Sequence, residues 1–95
     1  MPLFVLVCTD KAGGLPLRLA TRDAHLGYLD ATPGRVKTAG PRLNAAGEMI
    51  GSVLVVEADD MADAQAFAAD DPYNKAGLFD SVTIDGFRVA RGGVG

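Results

Sequence analysis

The chain predicts an α+β fold: a ferredoxin-like βαββαβ sandwich with a four-stranded antiparallel sheet and two helices on one face. Three observations predict it. The runs LFVLVC at 3–8 and GSVLVVEA at 51–58 are strongly apolar and of strand length. Segments with helical spacing at 16–31 and 61–70 alternate with further strand-like segments at 36–43 and 81–90. The 95 residues, 48% hydrophobic and 22% charged, hold one core and no second. Right-handed crossovers then place both helices on the same side of one sheet.

LFVLVC is continuous rather than alternating, which implies burial on both faces. TDKAGG follows as a loop closed by Gly13-Gly14, and Pro16 suits a first helical position. Within helix 1, Leu19, Leu26 and Leu29 form the expected core stripe, with Arg18, Arg22 and His25 along one edge. Pro33-Gly34 ends that helix. VKTAGPRL is the second strand, and Pro41, lacking a ladder donor, assigns it to an edge or a bulge. NAAG turns the chain into strand 3. Asp59 and Asp60 offer an N-cap for helix 2, MADAQAFAAD, whose Ala62, Ala66, Phe67 and Ala69 predict a small-residue face against the sheet. DPYNKAGLF is a short irregular or helical segment, SVTIDGFRVA the last strand, and RGGVG at 91–95 a frayed tail. Two helices cover one face of the sheet, yet strands 1 and 3 are apolar on both. A second copy packed sheet to sheet is the expected cover, so the chain predicts a homodimer.

Composition removes several classes of function. The net charge is −3 and the nine Lys and Arg residues are scattered, leaving no basic stripe for nucleic acid. Strands 1 and 3 carry one aromatic, Phe4, where a base-stacking platform needs several. Neither GxGxxG nor GxxxxGK[ST] occurs, and one cysteine with one histidine makes no metal cluster, so no cofactor and no metal are expected. Cys8 is expected to be a small core residue. MPLFVLVCTDK has no basic n-region and only a short apolar run; neither a signal peptide nor a membrane association is expected, and the cytoplasm is the simplest compartment.

His25, the one histidine, sits where helix 1 passes from core to solvent. It is either a packing residue or a general base, and Arg18 and Arg22 on its side favour the neutral imidazole that a base requires. Asp71, before Pro72, has the composition of an N-cap followed by proline at the first helical position. It could also orient His25 by accepting its second N–H, if the segment after helix 2 approaches helix 1. Asp70 is expected to be a solvated charge. Ser52 at a strand start and Tyr73 at a helix start have ordinary structural readings, and each could also lend a hydroxyl to a pocket. No nucleophile elbow surrounds Ser52.

Several motifs then occur in one order: RLATRDAHLGYL, TAGPRLNAAGEMIGS and EADDMADAQAFAADDPYNKAGLFDSVTIDGF. Through R-x-x-H-L, AGP, GS and DPY-x-x-AG the chain resembles the YciI-like (YCII-related) family over roughly residues 3 to 89. The resemblance implies a ferredoxin-like fold of the dimeric α/β barrel superfamily. It implies an active site built from His25 and Asp71, with Arg22, Ser52 and Tyr73 lining the cleft. Some relatives dehydrochlorinate chlorinated aromatics, and the wider superfamily includes muconolactone isomerases and small monooxygenases. The chain keeps the His and the DPY and differs in its short hairpin, NAAGEM.

The expected function is therefore a cofactor-free isomerase or lyase. His25, oriented by Asp71, would move a proton on a small substrate, and Arg22 would hold an anionic group. The alternatives are a cleft that binds a small ligand without turnover, or a dimeric scaffold. A packed His25 with Asp71 acting only as a cap would favour the scaffold.

Overall fold

A computed structural model of the chain describes residues 1–93. Strand β1 (Leu3–Asp10) alternates strictly in burial despite its continuous apolar sequence: Phe4, Leu6 and Cys8 are buried, while Leu3, Val5 and Val7 are half-buried. It pairs antiparallel with β3 (Met49–Glu57) on one side and with β4 (Phe79–Phe87) on the other. Strand β2 (Val36–Leu43) completes the order β2-β3-β1-β4. As Pro41 predicts, β2 is an edge strand, and its register slips near both ends, at Val36/Thr38 and Arg42/Leu43. The last strand begins two residues before the expected position and ends at Phe87. Beyond it, Arg88 to Gly93 form no strand; of the expected frayed tail, residues 94 and 95 lie outside the described residues.

Register places Phe4 beside Val56, Leu6 beside Leu54 and Cys8 beside Ser52, so these side chains share the helix-covered face. Gly51, next to Ser52, cannot be another residue without moving the sheet, because a Cβ there would overlap the Cys8 carbonyl oxygen. Helix α2 (Met61–Asp70) starts at Asp60, whose side chain accepts the Asp63 N–H at 2.9 Å. It buries Ala64, Phe67 and Ala68, spaced three and four apart. Ala62, Ala66 and Ala69, expected on that face, point outward instead; only Phe67 of the predicted set reaches the core.

Helix α1 (Leu15–Asp30) departs further from expectation. Its buried residues are Arg18 and His25, while Leu19 is 55% and Leu26 38% exposed. Of the predicted leucine stripe, only Leu29 packs against the core, together with Tyr28. The two fully buried positions of α1 are thus polar, and Arg18 meets the sheet at Ser52. Among the described residues, no helix is long and apolar enough to cross a membrane.

On the other face of the sheet, Val5 lies beside Val55 and Val7 beside Val53. Half-buried Val5, Val7 and Val53 with the buried Val55 form an apolar centre that, among the described residues, no helix covers.

Candidate functional site

Asp71 stands between two helices. Its backbone N–H closes α2 on the Ala68 carbonyl, and its side chain caps α3 (Pro72–Lys75), where Oδ1 accepts the Tyr73 N–H at 2.9 Å. Pro72 at the first position of α3 needs no donor partner. Gly77, at φ 80°, ends the turn; the Leu78 N–H returns to the Tyr73 carbonyl and the Gly77 N–H to that of Asn74, both at 3.0 Å. Four residues are held at both ends, and this fixes Tyr73.

The same Asp71 Oδ1 lies 2.8 Å from His25 Nδ1, a contact spanning 46 residues, and both side chains are buried. Cap and imidazole partner are therefore not alternatives: one oxygen serves both. Because the Tyr73 N–H can only donate, Oδ1 is an acceptor here, and His25 Nδ1 carries the proton it receives. In the neutral ring, the lone pair then sits on Nε2. Nε2 has no hydrogen-bond partner among the described residues.

Tyr73 stacks on the His25 ring, with centroids 4.0 Å apart and planes 17° from parallel. On the Tyr73 ring also lies the guanidinium of Arg18, 4.6 Å from the centroid. Burial pushes the Tyr73 phenol up from its ordinary pKa, against the pull of Arg18 and Arg22 downward. Arg18 is held at three points: Nε and Nη2 reach Asp10 at 2.7 and 2.9 Å, and Nη2 reaches Ser52 Oγ at 2.8 Å. Burial works against the Arg18 charge, but Asp10 outweighs it and the guanidinium holds its proton more firmly than usual. Beneath the site the Cys8 thiol is pushed up to about 12, first by burial and then by the Asp71 charge, as suits an inert core residue.

These groups open onto a cleft of about 220 Å³. Helix α1 contributes Arg18, Arg22 and His25; β2 and β3 contribute Pro41, Met49 and Ser52; α3 contributes Tyr73. All five residues singled out from the sequence (His25, Asp71, Arg22, Ser52 and Tyr73) come together, four on the wall and Asp71 directly behind His25. Arg22 is exposed and makes no ion pair among the described residues, whereas the Arg18 charge is matched by Asp10. The Asp10–Arg18 pair and the cleft-lining Met49 and Pro41 were not singled out. An aspartate ending an apolar strand, eight residues before an arginine inside the next helix, is too common a pattern to mark them. No group of three or more His, Cys, Asp or Glu side chains that could hold a metal occurs among the described residues.

Residues 2–88 match the model of the YCII-related domain. The chain is 38% identical over 95 residues to the protein YciI of Escherichia coli O6:H1, covering 90% of this chain and 96% of that one. An uncharacterized protein of Haemophilus influenzae is 30% identical over 93 residues, covering 90% and 95%. Among solved structures, a 5-chloro-2-hydroxyhydroquinone dehydrochlorinase of Burkholderia phenoliruptrix AC1100, in complex with 2,5-dihydroxybenzoquinone, superimposes with a TM-score of 0.84. It is 32% identical, and the match covers 90% of this chain and 93% of that one. A fold with both helices on one face of a β2-β3-β1-β4 sheet, these matches, and the R-x-x-H-L and DPY-x-x-AG residues meeting at one cleft agree: the chain belongs to the YCII-related domain family.

Proposed function

We propose that the chain is an enzyme that moves protons on a small hydroxylated ring, with loss of a leaving group such as halide where the ring carries one. One observation carries this reading: Asp71 Oδ1 fixes the proton on His25 Nδ1, leaving Nε2 free on the wall of the cleft. A base must be in the right tautomer before substrate arrives, and a buried carboxylate behind the ring achieves that. The volume suits a single ring, since a cavity of about 150 Å³ already admits benzene. Arg22, at the same wall and without an ion pair among the described residues, supplies a charge for an anionic oxygen.

On a halogenated hydroquinone the chemistry runs in two proton movements. His25 Nε2 takes the proton of the hydroxyl beside the halogen-bearing carbon, the oxygen pair moves into the ring, and that carbon takes the proton from His25. Nε2 then takes the proton of the hydroxyl across the ring as the halide leaves with its bonding pair. The sum is loss of HX and formation of a quinone, which needs no external oxidant. The similarity to a dehydrochlorinase of such a ring supports this choice of substrate class.

The open sheet face completes the reading. Val5, Val7, Val53 and Val55 make a continuous apolar patch, and a second copy of the chain covers it about a two-fold axis. The test of function is halide release and quinone absorbance from 5-chloro-2-hydroxyhydroquinone, for the parent and for His25→Gln. General-base catalysis predicts a loss of about 10²–10⁴-fold in the variant. Equal rates would remove His25 from the chemistry. Binding of the ring without turnover by either protein would make the cleft a ligand-binding site instead.

A further inference from the structure

The hydroxyls of the cleft have a polarity that follows from their neighbours. Arginine has donors only, so in the 2.8 Å contact between Arg18 Nη2 and Ser52 Oγ the serine must accept. Asp10 holds the guanidinium in that position by a two-point fork, and Arg18 is 3% and Ser52 3% exposed. With an Oγ lone pair so used, the serine O–H has its proton left to give, and it finds no acceptor among the described residues. Tyr73 is in the same condition: 2% exposed, on the cleft wall, its hydroxyl without an acceptor among the described residues. Arg22 adds a third donor and the one cleft charge without a counter-ion among the described residues. Beside this donor set, stacked on the Tyr73 ring, stands the one imidazole of the cleft, whose Nε2 is an acceptor.

We propose that Arg18, locked by Asp10, is a positioning residue that turns Ser52 into a donor, and that Ser52, Tyr73 and Arg22 form a wall taking one oxyanion of a small ring. The ligand is bound as a singly charged phenolate or enolate, with a second, still protonated oxygen offered to His25. The charges around it are balanced for that state: Arg18 is offset by Asp10, and Arg22 is matched by the oxyanion. Asp71 is engaged behind His25. A dianion would exceed the free positive charge, and a neutral phenol would leave Arg22 unmatched. The inference rests on the proposed reading that the cleft receives a hydroxylated ring, and it names the ionisation state and the groups that select it.

The test uses 4-nitrophenol, which has one ionisable oxygen, no leaving halide and a coloured phenolate. The full chain is mixed with the dye at the pH where the free dye is half ionised, and the absorbance of the bound fraction is read. A charged acceptor held by buried donors gains roughly tenfold or more over its neutral form, so about nine-tenths of the bound dye should be phenolate. Ser52→Ala should lower that preference about fivefold, and Ser52→Thr, which keeps a hydroxyl, should restore it. Arg18→Lys keeps the charge but loses the fork; it should weaken the preference while leaving the dye bound. Bound dye that stays half ionised in the parent protein overturns the wall, and this result does not depend on any variant folding. Equal preference in the parent and in Ser52→Ala overturns the role of Ser52 and of Arg18 behind it. Phenolate selection without halide release from a chlorinated hydroquinone leaves the wall standing and sinks the enzyme reading; release without selection does the reverse.

Discussion

Replacing Asp71 by alanine and by asparagine separates the two duties of its Oδ1. Alanine removes the acceptor of the Tyr73 N–H, a capping loss of about 1 kcal/mol. It also leaves the buried His25 Nδ1–H without a partner, a further cost of about 1–3 kcal/mol. Together these amount to about 2–4 kcal/mol, and in a domain of this size each kcal/mol moves the melting temperature by about 4–8 °C. Asp71→Ala should therefore melt roughly 8–32 °C below the parent. Asparagine keeps an oxygen for both donors, so its loss should stay under about 1 kcal/mol. Its turnover should nevertheless fall by about 10²–10⁴-fold, because the amide cannot stabilise the imidazolium formed when Nε2 takes a proton. The assay is thermal denaturation by circular dichroism at one fixed protein concentration, run beside halide release. An alanine variant within about 5 °C of the parent, or an asparagine variant with undiminished turnover, would refute the shared-oxygen account.

Gly51→Ala should cost at least about 1–3 kcal/mol in urea denaturation, since the new Cβ overlaps the Cys8 carbonyl oxygen and only separation of β1 from β3 relieves it. The Cys8 thiol is raised from 9.0 to about 12, so the folded chain keeps a proton that the unfolded chain releases. The associated stability is complete below about pH 9 and lost as pH rises toward 12; Cys8→Ala should show a shallower decline across that range, and equal slopes would contradict it. Val53→Lys, at the centre of the open sheet face, should halve the mass found by light scattering if a second copy covers that face. An unchanged mass would place any interface elsewhere.

Much of the fold was legible because strand and turn signals are local. The apolar runs located β1 and β3, Pro41 marked β2 as an edge, and Asp-Pro marked the cap of α3. Helix α1 was misread because a leucine stripe was assigned to the core. The inward side of a helix is apolar only where it meets apolar neighbours; here it meets Asp10, Ser52, Asp71 and Tyr73, so Arg18 and His25 are buried and Leu19 is not. The alanines of α2 failed more simply, since Ala62, Ala66 and Ala69 lie about 100° or more around the helix from the arc defined by Ala64, Phe67 and Ala68. His25 and Asp71 were found from residue type and motif, but their contact spans 46 residues and no local pattern encodes it. Asp10 escaped for the same reason, and Arg18 was read only as a charge beside His25: the fork between them exists only once β1 and α1 have met.

The oxygen shared between Tyr73 and His25 has a consequence in time. Until the four-residue turn at Pro72–Lys75 has formed and docked, His25 has nothing to settle which nitrogen bears its proton. A nascent or partly refolded chain can carry a finished sheet and still be chemically silent. On the proposed reading, the return of turnover after dilution from denaturant dates the arrival of that turn, whereas circular dichroism dates the helices and sheet. A lag between the two would be the interval in which the molecule has its shape and not yet its reactivity.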